Sequence, residues 1–197
     1  QEIDVVFPLV HGTFGEDGTL QGLLELADLP YIGPGVMGSA CAMDKEMTKR
    51  ILISSGLPVV NYVVQYRGQL NPDECELKLT YPMFVKPANL GSSVGISKAK
   101  NRDDLQKALE FAAQYDTKIV IEQGVIGREF EIAVLGNESK QATVPCEIRP
   151  KRDFYDYEAK YLEDTTEIDL PPRDFSDEKI AEMKRLAIAA CDALSLD

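Results

Sequence analysis

The sequence predicts a mixed protein of the α/β or α+β class with more than one subdomain. Three observations favour this class. An apolar run and a helical pattern open the chain, helices and short strands alternate through its middle, and a hairpin, a charged loop and a final helix follow. Because strands and helices are interspersed along the chain, helices are expected to pack against sheets.

Charge and composition exclude several classes of partner. With 33 acidic and 21 basic residues the net charge is -12, and the basic residues form no dense cluster. Nucleic acid and anionic membranes are therefore poor partners, and an anionic ligand would need a few converging lysines. The four cysteines are widely separated without a Cys-x-x-Cys pair, so zinc and redox sites are unsupported. No apolar run approaches the roughly 20 residues of a membrane span, and we expect a cytoplasmic protein.

Both ends of the sequence look cut. The chain begins with Gln1 and enters an apolar run almost at once, and it ends at Asp197 just after an amphipathic helix. We expect a fragment of a longer enzyme.

The first strand and the loop after it predict a ligand site. Residues 3–10 read as a buried strand, and the Gly-rich loop that follows carries the only histidine, His11, together with Glu16 and Asp17. In open α/β sheets, ligands lie at the carboxyl ends of strands. The alternative is a Gly-rich turn with a solvated acidic pair. A short helix over 19–29 and a short strand at Tyr31 should follow, with a domain boundary near 33–38.

Two lysines in the middle of the chain invite a functional explanation. A helix is expected from about 44 to 55, with Lys45 in its first turn, where a cation gains nothing from the helix dipole. Strands are expected over 59–66 and 81–87, and Lys86 ends the second one. A lysine there must reach water or meet an anion. The loop 88–96 that follows carries Ser92 and Ser93 and can cradle phosphate oxygens, or be an ordinary turn.

Carboxylates mark the next strand exit. Asn101 should cap a helix that reaches about residue 115, and a buried strand over 118–122 ends in Glu122. Glu129 begins the strand after it. Carboxylates in these positions suit the donors of an adenine amine and a ribose diol, although two solvated charges are an equal alternative.

The last third of the chain predicts a hairpin, a lid and a helix. Strands over 128–135 and 140–147 are joined by a turn at Gly136 and Asn137. Residues 151–169 are rich in charge and tyrosine without a clean period, which is typical of a lid or a disordered loop. Ser176 should open the final helix.

Four of these motifs, in this order, resemble those of the D-alanine–D-alanine ligases of the ATP-grasp superfamily, and the resemblance covers essentially the whole chain. The motifs are His11-Gly-Thr-Phe-Gly-Glu-Asp-Gly-Thr-Leu-Gln-Gly22, Lys86-Pro-Ala-Asn-Leu-Gly-Ser-Ser-Val-Gly95, Glu122-Gln-Gly-Val125 and Tyr155-Asp-Tyr-Glu-Ala-Lys-Tyr161. The resemblance implies an ATP-grasp fold in three parts. Residues 1–37 would end a Rossmann-like N-terminal substrate domain, 38–127 would form the central subdomain, and 128–197 would begin the C-terminal subdomain with a lid at about 151–169.

The resemblance also implies an activity. ATP would phosphorylate one D-alanine to D-alanyl phosphate, and a second D-alanine would attack it to form the dipeptide of peptidoglycan precursors, which maintain the cell wall and cell shape. By the resemblance, the ATP-binding residues are Lys45, Lys86, Ser92, Ser93, Glu122, Gln123, Val125, Glu129 and Lys160. Catalysis and substrate orientation would fall to His11, Glu16, Ser92, Lys160 and Tyr161.

Single roles follow from the same resemblance. Lys45 and Lys86 would neutralise the α- and β-phosphates, Ser93 would position the transferred phosphoryl group, and Lys160 would reach the γ-phosphate. Tyr161 would help Ser92 to orient the first D-alanine. His11 would face the carboxylate of the second D-alanine, and Glu16 would support the N-terminal site.

Parts of the family pattern lie outside this sequence. The Mg²⁺ ligands follow the last helix in the family, so this chain should hold most of the ATP pocket without metal ligands and be inactive alone. The intact enzyme is expected to be a homodimer acting on D-alanine and ATP. Two alternatives stay open: a D-alanine–D-lactate or other ATP-grasp carboxylate–amine ligase, against which Tyr161 argues, and a catalytically incomplete nucleotide-binding fragment.

Overall fold

A computed structural model describes residues 3–91, 93–149 and 167–197. The chain forms two compact units, Gln1–Val125 and Ile126–Asp197. The predicted site residues Ser92, Lys160 and Tyr161, and most of the predicted lid, lie outside the described residues.

The first unit is built on a four-stranded sheet. Its strands are β1 (Tyr62–Tyr66), β2 (Met83–Pro87), β3 (Ser97–Ala99) and β4 (Lys118–Gln123), in the order β1-β4-β2-β3 with antiparallel pairing. The helices of this unit are α1 (Thr19–Leu26), α2 (Val36–Met43), α3 (Lys45–Ser54), α4 (Pro72–Lys78) and α5 (Arg102–Tyr115).

Helix α5 covers one face of this sheet, as its sequence predicts. The Asn101 side chain accepts a hydrogen bond from the Asp104 N–H at 2.9 Å and so caps the helix. The predicted apolar stripe of α5 is buried against β2, β3 and β4, and consists of Leu105, Ala108, Leu109 and Ala112. Because side chains alternate along a strand, burial of Met83 and Val85 on this face turns Lys86 to the opposite face.

The N-terminal segment corrects a prediction. Residues 3–10 do not form a buried strand: they make a single parallel bridge, Val6 to Tyr31, and the side chains of Ile3, Phe7 and Leu9 are 59%, 63% and 77% exposed. Burial requires neighbours on both sides, and among the described residues only the segment at Tyr31 pairs with it. The strand predicted at Tyr31 is reduced to the same bridge.

Two helices of the first unit were missed. Helix α2 begins at Val36, inside the stretch read as a boundary, and α4 begins after Asn71, whose side chain accepts a hydrogen bond from the Asp73 N–H. Pro72 occupies the first turn of α4, where its missing N–H costs nothing. The division between residues 37 and 38 stays a prediction.

The second unit contains a three-stranded antiparallel sheet and a hairpin. The elements are β5 (Glu129–Glu131), β6 (Val134–Leu135), β7 (Gln141–Ala142), β8 (Cys146–Arg149), β9 (Glu167–Asp169) and α6 (Asp177–Ala193). Both predicted strands of the hairpin are interrupted, so that β6 pairs with β7 and β5 pairs with β8. Gly136 turns the hairpin with φ of 111°, and Ser176 caps α6 as predicted. Across the described residues, no helix is long and apolar enough to cross a membrane.

An ion pair between exposed Arg128 and buried Glu147 fixes the start of β5. Arg128 donates two hydrogen bonds to Glu147 of β8, at 2.7 and 2.6 Å, and its guanidinium lies 4.4 Å from the Phe175 ring centroid. These hydrogen bonds lower the pKa of the Glu147 carboxyl to about 2. The Arg128 side chain therefore fixes the backbone immediately before Glu129.

Candidate functional site

A charged cluster occupies the sheet face opposite α5. Phe84 of β2 pairs with Glu122 of β4, and Lys86 pairs with Val120, so Lys86 and Glu122 are diagonal neighbours on one face. The Lys86 Nζ donates to Glu122 Oε2 at 2.5 Å. Two of the predicted site residues are thus in direct contact.

Helix α3 adds a cation that the sequence analysis missed. The Nζ of Lys49 lies 2.8 Å from Glu122 Oε1 and 5.4 Å from the ring centroid of Tyr62. Each carboxylate oxygen of Glu122 therefore has its own lysine. The spacing of Lys45 and Lys49 is a signal that could have found it, because residues four apart share a helix face.

Glu122 stays ionised although it is buried. Its side chain is 12% exposed. Burial alone would raise the pKa of its carboxyl, but the charge of Lys86 and the hydrogen bonds from Lys49 and Lys86 outweigh burial and lower it below its ordinary value. The cluster holds more positive than negative charge, which suits an anionic ligand.

Lys45 lies at the first position of α3, which Asp44 caps by accepting the N–H groups of Glu46 and Met47 at 3.0 and 3.1 Å. Its Nζ donates to the carbonyl of Leu90 at 2.5 Å. Burial, and next the charge of Lys86, lower the pKa of Lys45 to about 8. An anion placed beside it would raise this pKa again.

The loop after β2 is held at two points. Its carbonyls accept from Lys45, while the backbone N–H and side-chain amide of Asn89 donate to Asp116 at 2.8 and 3.0 Å. Ser93 and Gly95 have φ of 59° and 73°, and a β-carbon at Gly95 would lie 2.7 Å from Pro87. Only glycine fits this approach. We call residues 88–96 the Gly/Ser loop.

The Gly-rich loop of the N-terminal motif lies against the Gly/Ser loop. Glu16 folds back and accepts the N–H of Gly12, and Asp17 accepts the N–H of Phe14 at 2.7 Å. A β-carbon at Gly91 would lie 3.5 Å from the Gly12 Cα and 3.7 Å from Glu16 Oε2. His11, the residue before Gly12, is exposed. Two motifs that stand some 75 residues apart are thus brought together.

The remaining predicted residues lie elsewhere. The Gln123 side chain is engaged with Thr80, accepting its N–H and donating to its carbonyl, both at 2.8 Å. The side chain of Val125 is 65% exposed. Glu129 is exposed at the start of β5, in the other unit.

Comparison of the sequence with models of known families shows which family the chain belongs to. A family model described as the D-ala D-ala ligase C-terminus matches residues 51–197. The chain belongs to the D-ala D-ala ligase family. A second model, the D-ala D-ala ligase N-terminus, matches residues 1–34. The resemblance inferred from the four motifs is confirmed.

Individual ligases are similar over nearly the whole chain. It is 55% identical over 195 residues to the D-alanine–D-alanine ligase of Solibacter usitatus, covering 99% of this chain and 60% of the relative. It is 51% identical over 198 residues to that of Bacillus velezensis, covering 98% of this chain and 56% of the relative. The chain thus spans a little over half the length of these relatives.

Solved ligase structures have the same fold. The VanG D-Ala:D-Ser ligase of Enterococcus faecalis aligns with a TM-score of 0.88 at 35% identity, covering 100% of this chain and 58% of that one. The D-alanine–D-alanine ligase of Coxiella burnetii aligns with a TM-score of 0.85 at 36% identity, covering 100% and 52%. The predicted ATP-grasp fold is confirmed.

Proposed function

We propose that this chain forms most of the nucleotide site of an ATP-dependent ligase that joins two D-alanines through D-alanyl phosphate, for peptidoglycan synthesis in the cytoplasm. The observation that carries the proposal is the buried contact of Lys86 with Glu122 beside Lys45 and the Gly/Ser loop. Family membership and the similar named ligases support it.

Lys45 and Lys86 can both bind phosphate oxygens. Both Nζ groups now donate to internal acceptors, Lys45 to a loop carbonyl and Lys86 to Glu122. The two amines lie near enough for the charge of Lys86 to lower the pKa of Lys45. Phosphate oxygens would replace the carbonyl on Lys45 and share Lys86. Charge-assisted hydrogen bonds in a partly buried site stabilise the bound phosphates and also the negative charge that develops on the transferred phosphoryl group.

The substrates would be placed by the contact between the two loops. Because Gly91 approaches Gly12 and Glu16, a D-alanine beside His11 would lie next to the Gly/Ser loop, where we place the transferred phosphoryl group. Ser92, Lys160 and Tyr161 complete the proposed site from outside the described residues. A closing lid at about 151–169 would protect D-alanyl phosphate from water.

The described residues do not fit a magnesium site. In the ranges 3–91, 93–149 and 167–197, no group of three or more His, Cys, Asp or Glu side chains could hold a metal ion. No step is therefore assigned to Mg²⁺ here. The homodimer expected for the intact enzyme remains part of the proposal.

The test compares three lysines. Lys86→Ala should weaken binding of a non-hydrolysable ATP analogue by about 1.5–3 kcal/mol, because a charge-assisted phosphate contact is lost. Lys100→Ala and Lys98→Ala, beyond the Gly/Ser loop, remove the same charge and should change it little. Isothermal titration measures all three, and equal losses would mean that the lysines act only through net charge.

The second substrate needs a product assay. The same fold is shared with a D-Ala:D-Ser ligase and a D-alanine–D-alanine ligase, so fold does not select the second substrate. When the chain is fused to the part of a relative that it does not span, we expect D-alanyl-D-alanine from D-alanine and ATP. A dominant ester product with added D-lactate would favour the depsipeptide alternative, and no ATP turnover would favour the non-catalytic one.

A further inference from the structure

Lys49 belongs to the charged cluster but to none of the motifs. Its side chain is 12% exposed, and it lies on α3 one turn after Lys45. Its Nζ contacts Glu122 Oε1 and faces the Tyr62 ring, so it is aimed at the carboxylate and not at the Gly/Ser loop. A lysine with so little exposure needs an explanation, since lysine is rarely buried unless it is paired.

The negative charge of Glu122 opposes phosphate binding at Lys86, and Lys49 offsets that charge. The Glu122 Oε2 lies 2.5 Å from the Lys86 Nζ and partly neutralises the positive charge that would attract a phosphate. The negative charge of Glu122 also repels the phosphate directly. A second cation on the other carboxylate oxygen neutralises Glu122. The charge of Lys86 is then available to an anionic ligand.

We propose that Lys49 is a positioning residue of the nucleotide site, which holds and neutralises Glu122 so that Lys86 can bind phosphate. This inference rests on the proposed function. It assigns Lys49 no contact with the nucleotide.

Helix α3 has a second, independent attachment to β4. Lys118 contacts Asp44 at 2.6 Å and Glu46 at 2.8 Å, at the start of the helix. Loss of Lys49 therefore leaves the N-terminal turn of α3, including Lys45, attached to the sheet. A change in ligand binding can then be separated from a displaced helix.

The experiment separates phosphate from nucleoside. Affinities of wild type, K49M and K49R for ADP and for adenosine are measured by NMR titration, with R50M as the control that removes one charge from the same helix without contacting Glu122. K49M should weaken ADP binding about tenfold or more, and adenosine binding by clearly less, because Glu122, which is expected to accept the adenine amine, keeps its carboxylate. K49R, which keeps the ion pair, should restore most of the ADP affinity, and R50M should resemble wild type.

A double-mutant cycle tests the route through Glu122. In an E122Q background there is no carboxylate charge to neutralise, so K49M should cost less than about threefold in ADP affinity. The same background serves if K49M alone does not fold, because no buried carboxylate that has lost one of its two lysines then remains. Its ADP and adenosine affinities are compared with those of E122Q.

The outcomes are distinct. Equal losses of ADP and adenosine in K49M, a loss in R50M as large as in K49M, or an undiminished cost in the E122Q background would overturn the role of Lys49. A wild-type chain that binds neither ADP nor an ATP analogue would overturn the proposed function, and this inference with it.

Discussion

The ionisation of single residues in the site is set mainly by neighbouring charges and by burial. The charge of Glu122 persists because two lysines outweigh burial, whereas burial and Lys86 lower the pKa of Lys45 to about 8. The sequence singled out Lys86 and Glu122 because each is a charge at the end of an apolar strand, and Lys45 because it is a cation in the first turn of a helix. It did not predict Lys49: the one local signal is its spacing four residues after Lys45, and its partner is 73 positions away.

The lowered pKa of Lys45 predicts how nucleotide affinity depends on pH. Only the protonated amine attracts phosphate, so affinity for ADP should fall as pH rises from about 7 through about 8 and beyond. In K45R the guanidinium stays charged, and the fall should be absent or much smaller. Titration of both proteins between about pH 7 and pH 9.5 measures the slopes; parallel slopes would assign the effect to another group.

Among the elements, those that were predicted correctly carry their information locally. Helix α5 has both a cap and a complete apolar stripe, and β2 has strict alternation. The prediction of a buried strand over 3–10 was wrong because burial depends on partners that periodicity does not reveal. Helix α2 was missed because glycines and a proline before it signal a break, and its small residues give no amphipathic stripe.

The contact between Arg128 and Glu147 predicts an acid-dependent stability of the second unit. The folded pKa of Glu147, about 2, lies below its ordinary value of 4.5, so the pair stabilises the fold above about pH 4.5 and this contribution is lost as pH falls toward 2. Glu147→Gln should lower the urea midpoint at neutral pH, and the difference from wild type should shrink at about pH 3.5. Glu167→Gln, an exposed carboxylate on β9, is the matched control. A difference that does not change with pH would show that the pair acts through packing instead of charge.

At the scale of the whole molecule, stability and ligand response should be located in different segments. Helix α5 and strand β4 form the core of the first unit, with Leu105, Leu109, Ile119 and Ile121 fully buried. The Gly/Ser loop, in contrast, is held by Lys45 and by Asp116, and its contact with Lys45 is the one that phosphate would replace. A ligand should therefore change the loop while leaving the core as it is.

Hydrogen exchange can test this division. Amides of α5 and β4 should exchange slowly with and without ligand, because their opening requires global unfolding of the unit. Within the described part of the Gly/Ser loop, the amides of Leu90, Gly91 and Gly95 should exchange fast in the free chain and slow down with an ATP analogue, since phosphate oxygens would accept their N–H groups. The amides of Ala88, Asn89, Val94 and Ile96 already donate hydrogen bonds within the protein. Lys86→Ala should reduce this added protection, whereas Lys100→Ala should preserve it. Protection by the analogue that is confined to the second unit, or equal across both, would place the nucleotide elsewhere than on the Gly/Ser loop.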